Sequence, residues 1–399
     1  MTTQSDNPSM VRRSLLGALP VAAALSACRP GGRTPALPAP RTASHEAPAR
    51  EASARGPSAR ESSAHGASAA AGARQPGVDR PAQPQTHAVV SVYELPQEAG
   101  SVRVAARIGE VLAELAGKPA GAAAGDLTVT VGLGPRLLGP AGQGLPGGLR
   151  LPPFAREERT ARAWGGDLLV QVCASDPAAV ALADARLAGT LAAEGASGRW
   201  SQAGFRPPGG GPVRNLLGFP DGIENPRTRP ELDREVWLDG PGPLAGGTVA
   251  VVRRLRIDVP GFLAQPATRQ EEAIGRRRAD GAPLSGGEAL DRLDLSAKTP
   301  RGRYLVPAMA HARRANPNAT GSGRMLRRGY SYRNGPEDQG LLFVSFQRRL
   351  RTFTATQRRL DDGDDLMRFV TATASGAFFV PRAFTPERPL GADLLGEPG

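Results

Sequence analysis

The spacing of apolar residues predicts strands separated by helices. Five segments are rich in β-branched residues and either alternate apolar with polar positions or are apolar throughout, a pattern typical of strands: 88–95, 127–133, 167–174, 246–258 and 340–350. Four others have helical spacing: 101–117, 176–194, 268–277 and 363–374. Together they predict an α+β fold of two similar halves, 87–212 and 213–399, with helices on one face of an antiparallel sheet in each.

The first 28 residues have the features of an export signal. Arg12 and Arg13 precede an apolar run that is shorter than the roughly 20 residues needed to span a bilayer, which suits a signal peptide of the twin-arginine (Tat) type. The sequence Leu25-Ser26-Ala27-Cys28 resembles a lipobox, in which Cys28 would be lipidated. An uncleaved anchor and an ordinary signal peptidase site are the alternatives. We expect export by the Tat route to the periplasm, the cell surface or the medium.

Residues 29–86 are dominated by Ala, Pro, Ser, Gly and Arg and contain almost no large apolar side chains. A segment of this composition cannot bury enough apolar surface to offset the entropy that ordering would cost. We therefore predict a disordered tether over 29–86, with the folded part beginning at about His87.

The charge and the cysteines exclude several classes of function. The formal net charge is +12, but no run of basic residues is interleaved with aromatic residues, so we expect no nucleic-acid partner. Only two cysteines are present, which leaves no disulfide framework and no thiolate metal cluster. Cys173, within an apolar stretch, is predicted to be a buried structural thiol.

One histidine is a realistic ligand for a cofactor. Of the four histidines, His45 and His65 lie in the predicted tether and His87 at its end, which leaves His311. A lone histidine is more often an ordinary core or surface residue. If His311 does bind a metal, zinc sites with two imidazoles are excluded, whereas haem can be held by a single axial histidine.

The stretch "GFPDGIENP" (218–226) places Asp221 between Pro220 and Gly222. A tight turn explains these three residues without any further function. The alternative is that the turn presents the carboxylate of Asp221 to a ligand.

Five motifs, taken together, resemble the dye-decolorising (DyP-type) peroxidase family. They are "GFPDGIENP", "IGRRRADGAPLSG" (274–286), "HARRANPN" (311–318), "RMLRRGYSY" (324–332) and "GLLFVSFQRRL" (340–350). The resemblance extends over about 88–385, is strongest from 216 onward, and is to the Tat-exported bacterial branch that includes deferrochelatase-like proteins.

This resemblance implies two ferredoxin-like halves arranged similarly to a dimeric α+β barrel, with one haem b per chain in the C-terminal half. It implies that His311 is the proximal iron ligand, Asp221 the distal acid–base group and Arg327 the distal charge stabiliser. The other residues expected at the haem are Gly222, Ile223, Glu224, Asn316, Pro317, Asn318, Leu341 and Phe343. Leu341 and Phe343 are two apart on a strand and therefore share one face.

Several charged residues are candidates for supporting roles. Asp364 and Asp365 are candidates to bond the second ring nitrogen of His311, or, alternatively, to cap the predicted last helix. Arg313, Arg314 and Arg328 are candidates to neutralise haem propionates, with surface solvation as the alternative.

The function implied is that of a peroxidase that reduces hydrogen peroxide and oxidises dye-like or phenolic donors, with its best activity at acidic pH. The alternatives are an exported protein that binds haem or releases its iron, and a haem-free scaffold of the same fold. The expected partners are hydrogen peroxide and small organic electron donors. Contact with a membrane is expected only through lipidated Cys28, and an oligomer is compatible with the sequence.

Overall fold

The computed structural model describes residues 74–96, 103–104, 106–111, 125–160, 162–208, 213–384 and 388–395. The predicted signal peptide and the predicted tether up to residue 73 lie outside the described residues. Residues 103–104 and 106–111 are helical, within the helix predicted over 101–117. Among the described helices, none combines the length and the apolarity that a membrane crossing requires.

The described strands are β1 (His87–Glu94), β2 (Thr128–Leu133), β3 (Leu168–Ala174), β4 (Ser197–Phe205), β5 (Thr248–Ile257), β6 (Leu326–Arg327), β7 (Tyr330–Arg333), β8 (Gln339–Gln347) and β9 (Val370–Val380). The labelled helices are α1 (Pro135–Leu138), α2 (Pro177–Ala193), α3 (Arg229–Glu235), α4 (Val259–Leu263), α5 (Ala267–Ile274), α6 (His311–Arg314), α7 (Pro317–Thr320), α8 (Leu350–Asp361) and α9 (Ala392–Leu395). Two 3₁₀ helices span Gly139–Gly144 and Leu366–Phe369.

The strands form two similar antiparallel units that close into one ring. In the first half the order is β4-β1-β3-β2, and in the second it is β7-β8-β5-β9, with β6 beside β8. The halves are joined by the pairing of β2 with β9 and of β4 with β7. Because β5 pairs with both β8 and β9, the ring is continuous. The predicted α+β fold of two ferredoxin-like halves is therefore confirmed.

Alternate residues of the strands divide between two apolar layers. Val90, Leu169, Ala250 and Phe346, from four strands of both halves, belong to one buried cluster. Val170 and Val251, which are adjacent to members of this cluster along the strands, pack in a second cluster that includes the apolar side of α2. Helix α2 begins as predicted, with the side chain of Asp176 accepting a hydrogen bond from the backbone of Ala178.

The helix predicted over 363–374 is wrong. Residues 366–369 form a 3₁₀ helix, and β9 begins at Val370. From Val370 to Ala374, buried and partly exposed residues alternate with the period of two that a strand requires. The alanines of this stretch suit a helix in isolation, but the pairing of β9 with β5 over ten residue pairs decides its conformation.

The predicted tether extends too far toward the C-terminus. Residues 74–86 are packed against the folded part: Val78 is fully buried, and the buried side chain of Gln75 donates to the backbone of Val131 and Pro381. Asp79 accepts a hydrogen bond of 3.1 Å from the indole nitrogen of Trp237. These residues, which we call the N-terminal strap (74–86), lie against both halves.

We expect Asp79→Ala to lower the free energy of unfolding by about 1–3 kcal/mol, because the buried indole N–H of Trp237 loses its acceptor. Glu158→Ala is the control: its side chain is 51% exposed and pairs with Arg256, and neither residue belongs to the strap, so the cost should be about 0–1 kcal/mol. Urea unfolding followed by circular dichroism measures both. Equal losses would mean that the strap is not anchored through Asp79.

Candidate active site

Asp221 lies in a tight turn that leaves its carboxylate in a cavity. Gly222 has φ of 79°, a conformation that favours glycine, and its N–H donates to Asp221 Oδ1 at 2.6 Å. The backbone N–H of Asp221 donates to Val213 at 3.0 Å. The side chain is 36% exposed. The two interpretations of this stretch are therefore compatible: Asp221 lies in a tight turn, and the turn directs its carboxylate into the cavity.

Arg327 is held beside Asp221 by an asparagine, Asn225, that no sequence motif indicates. The amide of Asn225 donates to the backbone oxygen of Arg327 at 2.7 Å and accepts from its N–H at 3.1 Å. With its backbone fixed in this way, Arg327 places Nη2 3.3 Å from Asp221 Oδ1. Asn225 lies in the same quoted stretch as Asp221, but its partner is 102 residues away, so no local pattern indicates the contact.

The surroundings of Asp221 favour its ionised form. Burial alone would raise the pKa of Asp221, but the charge of Arg327 and the hydrogen bond from Gly222 outweigh it, and the charge of Arg206 adds to their effect. The pKa of Asp221 is consequently lower than that of an ordinary aspartate.

His311 opens helix α6 and is oriented by a buried aspartate. Its Nδ1 lies 2.7 Å from Asp364 Oδ2, and the side chain of Asp364 is fully buried. The other oxygen of Asp364 accepts from the backbone of Leu366 and Met367. Asp364, rather than Asp365, therefore orients the imidazole, and its second oxygen accepts from the first turn of the 3₁₀ helix. The alternative, that these acids cap a helix over 363–374, is wrong because that helix does not form.

The contact with Asp364 sets the state of the imidazole. Since an ionised carboxylate can only accept, Nδ1–H of His311 is the donor, and Nε2 is the nitrogen left to bind a metal, in place of a proton. Burial lowers the pKa of His311, but attraction to Asp364 exceeds that effect and raises the pKa overall. The same attraction increases the electron density that Nε2 offers to a metal.

A single cavity of about 1510 Å³, including its open mouth, brings most of the expected site residues together. Those that line it are Asp221, Gly222, Ile223, Glu224, His311, Asn316, Arg327, Leu341 and Phe343. Pro317 and Asn318 do not line it and instead border an adjoining pocket. Asn316 stands between the two, with its side chain accepting from the N–H of Asn318 at 2.9 Å.

The three arginines considered for the propionates do not line this cavity. Arg313 donates to backbone oxygens, Arg314 pairs with Asp362, and Arg328 lines a different pocket. The arginines that do line the cavity, besides Arg327, are Arg253 and Arg276.

The residues present fit a large planar cofactor held by one imidazole. The side chain of His311 is one-third exposed (33%), and Phe343 and Phe353 form an apolar wall with ring centroids 5.8 Å apart. One histidine free to bind iron and a largely apolar lining are what haem requires.

Comparison with known proteins identifies the family. The profile described as "Dyp-type peroxidase, N-terminal" matches residues 87–206, and "Dyp-type peroxidase, C-terminal" matches 212–385. The chain belongs to the DyP-type peroxidase family. A dye-decolorizing peroxidase from Thermobifida fusca is 35% identical over 372 residues, which cover 81% of this chain and 84% of that protein.

Other relatives agree with this assignment. A deferrochelatase from Yersinia pestis is 35% identical over 64% of this chain, but the match covers only 63% of the deferrochelatase. The crystal structure of a DyP-type peroxidase from Streptomyces coelicolor has a TM-score of 0.74 and 32% identity, and covers 82% of this chain and 96% of that one. Ferric DtpA from Streptomyces lividans has a TM-score of 0.73 and 32% identity, and covers 81% and 95%.

Membership of the DyP-type peroxidases confirms the expected cofactor and activity. The protein binds haem, and it is an oxidoreductase that uses peroxide. Cys173 takes no part in this site: it is buried, and burial raises its pKa to about 11, so the thiol stays protonated and unreactive.

Proposed function

We propose that this DyP-type peroxidase reduces hydrogen peroxide and oxidises dye-like or phenolic donors, with Asp221, Arg327 and His311 in the roles of acid–base group, charge stabiliser and iron ligand. The observation that carries the proposal is the ion pair of Asp221 with Arg327 in the cavity that His311 also lines. A protein that only binds haem has no need of an ionised acid paired with an arginine beside the cofactor.

Haem, when bound, supplies the iron at which peroxide reacts and the electrons are exchanged. Nε2 of His311 is the atom that would hold this iron, because Nδ1 is engaged by Asp364. The hydrogen bond to Asp364 fixes the ring and makes Nε2 a stronger donor.

Asp221 is suited to move a proton between the two oxygens of peroxide. The hydrogen bonds from Gly222 and from Arg327 both reach Oδ1, which leaves Oδ2 to take the proton from one oxygen and return it to the other. Arg327 cannot act as a base because it stays protonated. Its charge keeps Asp221 ionised before peroxide arrives and stabilises negative charge that develops during the reaction.

Steady-state oxidation of an anthraquinone dye by peroxide tests this proposal. Wild type is compared with Asp221→Ala, Arg327→Ala and the control Arg301→Ala, which changes an exposed arginine outside the cavity. We expect wild-type rates from the control and a large loss in the first two. Equally slow rates in all four proteins would favour the second candidate, release of haem iron, which the similarity to deferrochelatases raises.

The pH dependence gives a second prediction. Because Arg327 lowers the pKa of Asp221, activity should persist below the ordinary range of an aspartate and fall only as the pH drops through the lowered pKa. In Arg327→Met this lowering is lost, the pKa of Asp221 rises, and the acid limb of the kcat/KM profile for peroxide should move to higher pH. An acid limb at the same pH in both proteins would show that Asp221 is not the titrating group.

Export and anchoring belong to the same proposal. Arg12, Arg13 and the apolar run after them support export through the Tat route, which carries proteins already folded. Cys28 supports a lipid anchor, from which the residues up to the N-terminal strap would tether the enzyme. Metabolic labelling with a palmitate analogue, compared between wild type and Cys28→Ala, tests the anchor.

A further inference from the structure

A second pocket lies beside the haem cavity and shares three of its lining residues, Asp221, Gly222 and Arg327. It has a volume of about 1120 Å³, including its mouth, and we call it the arginine pocket. Its charged lining residues are Arg206, Arg227, Arg327, Arg328, Asp79 and Asp221. Since Asp221 and Arg327 also line the haem cavity, an occupant of the arginine pocket would lie next to the proposed catalytic pair.

The positive charge of this pocket is poorly compensated. Arg327 pairs with Asp221. The guanidinium groups of Arg206, Arg227 and Arg328 form no ion pair with any carboxylate of the described residues, although other arginines of the chain do so repeatedly. With four arginines and two acids, the lining carries a surplus of two positive charges.

Among these residues, Arg328 gives the strongest indication that the pocket binds an anion. Its side chain is buried, with the residue 2% exposed; Nη1 donates to the backbone oxygen of Pro81 at 2.8 Å, whereas Nη2 has no hydrogen-bond partner among the described residues. Burial lowers the pKa of Arg328, and the attraction to Asp79, with which it forms no ion pair, does not offset this effect. A buried charge in this state is costly, and an anion bound nearby offsets that cost.

The remaining walls are apolar, which restricts the kind of anion that fits. Pro84 of the N-terminal strap, Val213, Leu232 and Leu290 line the pocket, and Leu290 is an exposed apolar side chain at its surface. Arg206 donates to the backbone oxygen of Gly329 at 2.9 Å, and its guanidinium lies over the ring of Tyr330. Neutral, small hydrogen peroxide requires neither the arginines nor the apolar surface.

We propose that the arginine pocket binds small aromatic carboxylates, with the carboxylate toward Arg206 and Arg328 and the ring against the apolar wall. A phenolic acid bound here would be an electron donor positioned next to Asp221 and Arg327. This donor role rests on the proposed peroxidase function, whereas binding itself does not.

Calorimetric titration of the haem-loaded protein with benzoate tests binding. The variants are Arg206→Gln and Arg328→Gln, and the control is Arg301→Gln, an exposed arginine outside the pocket. We expect wild type and the control to bind benzoate with the same Kd, and the two variants to bind about 10–100-fold more weakly, the loss that follows from removing a hydrogen bond to a charged group. Benzyl alcohol, which has the same ring without the charge, should bind wild type as weakly as benzoate binds the variants.

Three results would overturn the proposal. One is that benzoate does not bind wild type. Another is that its Kd is the same in all four proteins. The third is that benzoate changes the haem absorption spectrum of wild type and changes it equally in both variants, which would place benzoate in the haem cavity. If Arg328→Gln does not fold, the single variants Arg206→Gln and Arg227→Gln replace the original pair, and the same three results would overturn the proposal.

Kinetics then test the donor role separately. The ratio of KM for 4-hydroxybenzoate to KM for phenol should rise about tenfold in Arg206→Gln and stay unchanged in the control. An unchanged ratio would remove the donor role. If the protein binds benzoate but oxidises neither compound, the proposed peroxidase function is wrong and the proposed binding site stands. If it oxidises phenol but does not bind benzoate, the peroxidase function stands and the proposed binding site is wrong.

Discussion

Asp221→Asn should lower kcat/KM for hydrogen peroxide by about 10²–10⁴, the range that general acid–base catalysis contributes. The asparagine keeps the size of the side chain and an oxygen that can accept from Gly222, so the turn should persist. It cannot accept a proton at neutral or acidic pH, which removes the step assigned to Oδ2. Stopped-flow absorbance of the haem after mixing with peroxide measures the rate directly.

The control for this prediction is a change that leaves the carboxylate in place. Asn225→Ala removes the two bonds to the backbone of Arg327 but not Asp221, so it should cost less than Asp221→Asn and more than a surface substitution. A rate in Asp221→Asn within threefold of wild type, with full haem content, would show that another group moves the proton.

His311→Ala should remove most of the haem from the purified protein, because no other described histidine lines the cavity. The haem-to-protein ratio after gel filtration, measured as the pyridine haemochrome, gives the result. His87→Ala is the matched control, since His87 lies on β1 and contacts Ser175 rather than the cavity. Free imidazole should restore part of the haem content to His311→Ala and none to wild type.

One result would contradict the assignment of His311 as the iron ligand. A wild-type haem content and an unchanged haem spectrum in His311→Ala would mean that the iron is held by another residue. In that case the contact between His311 and Asp364 would be structural only.

Local sequence was sufficient for much of the fold. β1, β3 and β5 were predicted within two residues at each end, because their β-branched, apolar runs are also what the sheet buries. The helix expected over 363–374 fails for the opposite reason: its alanines carry little preference for a strand, and the pairing with β5 is set by residues more than 100 positions away. β4 was missed, since its sequence "SGRWSQAGF" is mostly polar or small.

In the site, too, motifs in the sequence indicate some residues, whereas contacts between distant parts of the chain are not visible in it. The resemblance brought Asp221, Arg327 and His311 together, and the structure places all three around one cavity. The supporting contacts are not visible in any local pattern, because their partners are far apart in the chain. Asn225 lies 102 residues from Arg327, and Pro81, in a segment whose composition predicts disorder, lies 247 residues from Arg328.

The central claim is that His311 holds iron in a cavity that Asp221 and Arg327 also face. An anomalous difference map recorded at the iron edge, from crystals of the haem-loaded protein, tests it most directly. We expect a single iron peak at bonding distance from Nε2 of His311, with Asp221 and Arg327 on the other side of the porphyrin. An iron peak bonded to another side chain, or a porphyrin with Asp221 and His311 on the same side, would contradict it.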